Sequence, residues 1–182
     1  MNLVLGFAPF ILFFLLSRVS ADLALWAAFA AAFVVTIRDF VESPSLRLLD
    51  AGNLIIFGSL ALVRGFVLPT MTLAQVRLIV ELALFLLLAA SILRRQPFSL
   101  QYARLHPGES WPPAVFLRVN YVVSVIWLVA FAAMTVADAA VTFLSVPPIA
   151  LAIAVGAASL AVAVTFTLRY PALAARRLQR RA

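Results

Sequence analysis

Two residues of opposite charge, Arg77 and Glu81, stand four positions apart inside an otherwise apolar run of the 182-residue chain. On a helix this spacing puts both on one face, about 6 Å apart along the axis. An unpaired charge in hydrocarbon costs about 2.5–3.5 kcal/mol on insertion scales. Pairing, or protonation of the acid, lowers that cost. Two chemistries fit the pair. It is a buried polar site facing a bundle interior, suited to a proton or a lipid headgroup, or it is a structural ion pair with a snorkelling Arg77.

A second group is Asp50, Asn53, Arg118 and Asn120. Asp50 and Asn53 share a face near the start of one apolar run, and Arg118 and Asn120 enter another from the same side. They are expected as a polar cluster at one depth: a headgroup-sized pocket, or hydrogen bonds between helices at about 0.6 kcal/mol each. A third feature is the segment 97–112. Phe98, Tyr102 and Leu105 fall at i, i+4 and i+7, one helical face, with Arg104 and Gln101 off it. This pattern predicts a short helix lying flat at the interface, as an amphipathic loop or a docking surface. His106, the lone histidine, follows it and reads as a solvated loop residue.

The elements that position these residues are apolar. Hydrophobic residues make up 65% of the chain and charged residues 12%, about half the usual share for a soluble surface, and mean hydropathy is +1.12. Lipid is therefore the expected solvent. A spanning helix needs about 20 apolar residues, and the runs 2–17, 21–37, 47–64, 72–93, 115–137 and 149–168 qualify, the first two being short. The expected fold is all-α: one polytopic bundle of about six transmembrane helices over residues 1–182, with a basic tail from 170 to 182. The run beginning at Leu3 has no basic leader and reads as a retained helix. Asp138 reads as a helix-end residue on the outer face.

Cysteine is absent, which excludes disulfides and thiolate metal sites, and a single histidine excludes a haem held by two histidines of one chain. No glycine-rich phosphate loop or nucleophile–base arrangement occurs, so no catalytic residue, cofactor or metal is expected. The net charge of +7 comes from arginine alone. These arginines flank apolar runs, which suits orientation and anionic headgroups rather than nucleic acid. With even crossings, Arg38, Arg47, Arg94, Arg95, Arg104, Arg118, Arg169, Arg176, Arg177, Arg180 and Arg181 share one side, against Arg18, Arg64 and Arg77 on the other. The positive-inside rule then predicts both termini in the cytoplasm. Ala24, Ala28 and Ala32 recur every four residues, as do Ala150, Ala154 and Ala158 with Ala152 and Gly156 beside them, a spacing that lets helices approach closely in lipid.

Four stretches share an order along the chain: Phe7-Ala8-Pro9-Phe10 followed by Phe13-Phe14, Ile56-Phe57-Gly58-Ser59, Arg94-Arg95-Gln96-Pro97, and Leu117-Arg118-Val119-Asn120. Together they resemble the bacterial intracellular septation protein A family of small inner-membrane proteins. Glu81 departs from that pattern, which has an apolar residue there, and the loop Pro97–Arg104 is more aromatic than the family's basic stretch. The resemblance implies a bacterial inner-membrane protein with an envelope-maintenance or septation-related scaffold role and partners in cell-wall synthesis or division. It carries over no catalytic residue. The alternative expectation is a small transporter or lipid-handling protein that uses Arg77 and Glu81. Membrane lipids are expected partners in either case, and nucleic acid is not.

Overall fold

The break in the first apolar run shapes the whole molecule. Pro9 has no N–H to give an upstream carbonyl, and it is tolerated only in the first turn of a helix. In the computed structural model the run accordingly divides into α1 (Asn2–Gly6) and α2 (Ala8–Leu16), with Phe7 between them and Pro9 in the first turn of α2. The structure describes residues 2–42, 44–103, 112–144 and 148–179, with backbone only for residues 2 and 175–179. The remaining elements are α3 (Ala21–Glu42), α4 (Leu48–Leu62) with a π-helical turn at Val63–Val67, α5 (Leu73–Leu93), α6 (Ser99–Ala103), α7 (Pro113–Leu144) and α8 (Ile149–Gln179). No strand occurs among the described residues.

Among the described residues, five helices are long and apolar enough to cross a membrane: α3, α4 with its π turn, α5, α7 and α8. The expected sixth is the broken α1–α2 pair, too short by itself to meet the length of about 20 residues. It is nonetheless the centre of the bundle. Phe7, Phe10 and Phe13 are fully buried and Phe14 nearly so. Phe7 stacks on Trp127 of α7 at 3.7 Å and meets Phe98 edge-on at 5.7 Å. Phe10 packs on Phe131 of α7, and Phe13 on Phe57 of α4. Aromatic pairs of this kind add about 0.5–1.5 kcal/mol each beyond the area they bury. The outer surface carries apolar side chains such as Phe33, Val34, Ile55, Val136 and Val162, as a lipid-facing surface does.

Three helices run further than the sequence reading placed them. α3 continues to Glu42 rather than 37, because Asp39 finds arginine partners and does not have to leave the helix. α7 continues to Leu144 rather than 137. α8 passes through Pro171 to Gln179, so the expected tail from 170 is helical over most of its length, and residues 180–182 lie outside the described residues. Where local chemistry is decisive, the ends agree. Thr72 and Gln75 form a reciprocal capping box at the start of α5. Its other end is a Schellman motif: Arg95 N donates to Ile92 O at 2.9 Å and Gln96 N to Ser91 O at 3.0 Å, with Arg95 at φ 56°.

The two alanine stripes part company. Ala24, Ala28 and Ala32 are buried, whereas Ala150, Ala154 and Ala158 face outward. On α8 it is the neighbouring row of Ala152, Gly156, Leu160 and Ala163 that packs inward. The close approach is made at Gly156, where an added Cβ would stand 2.5 Å from the Phe14 ring.

Candidate functional site

α5 and α7 pack along their lengths and run antiparallel, so the N-terminal turns of α5 meet the C-terminal turns of α7. There Arg77 lies between two acids. Its Nε donates to Asp138 Oδ2 at 2.8 Å, and its Nη2 to Glu81 Oε1 at 3.3 Å, one turn along its own helix. All three side chains are at most 1% exposed. The Phe14 ring covers the guanidinium, with Arg77 Cζ 5.0 Å from its centroid, a cation–π contact strengthened by burial. Gly156 of α8 completes the wall, leaving room for that ring.

Arg77 and Glu81 therefore do share a face, but the shorter bond of Arg77 is to Asp138. The reading of Asp138 as a helix-end residue is corrected: it is fully buried, six residues before the end of α7. A charge inside an apolar run of this length was the signal available in the sequence. Its partner, 61 residues away, was not. One cation faces two carboxyl groups here, and Arg77 Nη1, Glu81 Oε2 and Asp138 Oδ1 each lack a hydrogen-bond partner.

A second polar layer closes the other end of the bundle. Asp39 Oδ1 accepts from Arg38 Nε at 2.9 Å and Nη2 at 2.6 Å, while its Oδ2 accepts from Arg47 Nη1. Arg47 lies over the Tyr102 ring, 4.9 Å from its centroid. The Tyr102 hydroxyl donates to Asp50 Oδ1 at 2.9 Å. Burial, reinforced by the Asp50 carboxylate, pushes that hydroxyl well above its usual range, so Tyr102 stays a donor. Arg38 and Arg47 thus stand among three acids, Asp39, Asp50 and the exposed Glu42, 3.8 Å from Arg38 Nε.

The expected cluster of Asp50, Asn53, Arg118 and Asn120 is not one pocket. Asp50 and Asn53 point to different partners: Asn53 Nδ2 donates to Gly6 O at 2.8 Å, holding the break between α1 and α2. Asn120 turns back on its own helix, its Nδ2 donating to Phe116 O at 2.9 Å. Arg118 is exposed. The residues missed were Asp39 and Arg47, which read in the sequence as loop and orientation charges.

The segment after α5 is a single turn of helix, α6, tucked into this end. Phe98 and Tyr102 do share a face, yet that face points into the bundle, because Phe7, Gly6 and Asp50 offer it partners there. Ser99 Oγ donates to Asn120 O at 2.9 Å, and Gln101 Oε1 accepts from Leu48 N at 2.7 Å. Arg104, Leu105 and His106 lie outside the described residues.

The fold and its apolar exterior define a multi-pass helical membrane protein. Comparison with protein-family models, with curated proteins and with solved structures finds no match to this chain.

Proposed function

We propose that this chain is a non-catalytic scaffold of the bacterial inner membrane, with both termini cytoplasmic, that holds other envelope or division proteins in place. The observation that carries this reading is the filled axis. Phe7, Phe10, Phe13, Phe14, Trp127 and Phe131 occupy the centre where a transporter would keep a passage. The rigid centre suits a protein whose outer surface does the work. The motif resemblance to the septation protein A family and the arginine asymmetry support the same reading. Two measurements test it. In the cysteine-free background, Val67→Cys should label from outside intact cells and Gln96→Cys should not; the reverse overturns the orientation. Cross-linking in native membranes should then capture envelope or division proteins, and recovery of the protein alone counts against a scaffold.

A second reading, a small transporter or lipid-handling protein, is favoured by one observation: the Arg77 site carries one more acid than base. Substrate flux in proteoliposomes that disappears in Glu81→Gln supports it, and the absence of flux for wild type removes it.

A further inference from the structure

The Arg77 site differs from an ordinary structural ion pair in its charge count and its geometry. Two fully buried carboxyl groups share one guanidinium. Asp138 has the closer bond, 2.8 Å from Nε, and Glu81 the looser one, 3.3 Å from Nη2. Two ionised acids would leave one negative charge unbalanced in hydrocarbon, which is costly. Glu81, with the looser contact, is the one placed to take up a proton. The charged groups facing Glu81 among the described residues are Arg77 on its own helix and Asp138 on α7. α2 and α8 present Phe14 and Gly156, which do not titrate.

A second observation is that Glu81 Oε2 is buried and without a hydrogen-bond partner, an oxygen free to carry a proton.

We propose that Glu81 is a proton-binding site, exchanging its proton with the aqueous phase at the end of the bundle where α7 terminates. Binding forms one O–H bond on the Glu81 carboxylate and cancels the surplus charge. Release returns the proton to water and leaves a net negative triad. The ligand is a proton alone, and nothing in the site requires that it be carried across the membrane.

Infrared spectra of the full-length protein in lipid nanodiscs test this, taken across about pH 5 to pH 9. Wild type should show the C=O stretch of a protonated carboxyl at neutral pH. The band should vanish in Glu81→Gln and reappear at a shifted position in Glu81→Asp. Because glutamine copies the protonated acid, Glu81→Gln should keep the wild-type melting temperature within about 2 °C at neutral pH. In Asp138→Asn the band should also be lost, since Arg77 then has only Glu81 to pair with. No protonated-carboxyl band in wild type across this range overturns the proposal, as does a band that survives in Glu81→Gln.

Discussion

The two polar layers are built from the same residue types and solve different problems. At one end Arg38 and Arg47 share Asp39, Arg38 also meets Glu42 at 3.8 Å, and Tyr102 joins Asp50 to the aromatic face of α6. At the other, Arg77 alone faces Glu81 and Asp138. The first layer has redundancy: Asp39 keeps Arg38 if Arg47 is lost. The second has none, because every charge in it depends on Arg77. The first, with Arg38 and Glu42 reaching solvent, locks α3, α4 and α6 together, whereas the second is wholly buried and can change its protonation.

The largest expected effect comes from removing that single cation. Arg77→Leu strands two acids and should cost about 3–5 kcal/mol, read as a loss of thermal stability in detergent. Arg47→Leu should cost less, about 1–3 kcal/mol, since Arg38 remains. Equal losses would erase the distinction between the layers. Combining Arg77→Leu with Glu81→Leu should not restore stability, because Asp138 is still unpaired. Adding Asp138→Leu should recover much of it, since apolar replacement of a buried triad is often neutral or better. Recovery in the double variant would show that Asp138 is not the principal partner.

Gly156→Ala probes the wall of the Arg77 layer. The new methyl meets the Phe14 ring that covers Arg77, and a loss of about 1–3 kcal/mol is expected. A fully neutral result would mean that α8 yields freely there. Tyr102→Phe tests the Arg47 layer by leaving Asp50 without its donor, at about 1–2 kcal/mol. The smallest effect has the opposite sign. Arg95→Gly relieves the positive φ of the Schellman motif and should stabilise by up to about 1 kcal/mol.

How far the molecule could be read from its sequence depends on the range of each interaction. The apolar runs gave all five long helices, since hydropathy is local. The end of α5 was legible because the motif that stops it lies within Ser91–Pro97. The ends of α3 and α7 were not. A charge in a helix reads as a boundary until its partner is known, and the partners of Asp39 and Asp138 sit on other helices. The same holds for the alanine rows. Ala24, Ala28, Ala32 and Ala150, Ala154, Ala158 have the same spacing, yet only the first faces inward. What turns α8 is the Phe14 ring, which needs the gap at Gly156. Arg77 and Glu81 were visible as a pair, one turn apart. That they form two sides of a triangle required the third helix.

The stack of Phe7 on Trp127 bears on how the chain is assembled. Synthesis runs from the N-terminus, so the helix that ends up at the centre enters the bilayer well over a hundred residues ahead of its closest aromatic neighbour. Until α7 arrives, Phe7 and Phe10 have acyl chains where Trp127 and Phe131 will stand, which is tolerable because lipid is as apolar as a protein core. The middle of this bundle is therefore made first and enclosed last. α7 and α8 close around an occupant already in place, as staves close on a cask. A chain truncated before α7 should leave α2 open to lipid-soluble cross-linkers that the full-length protein excludes.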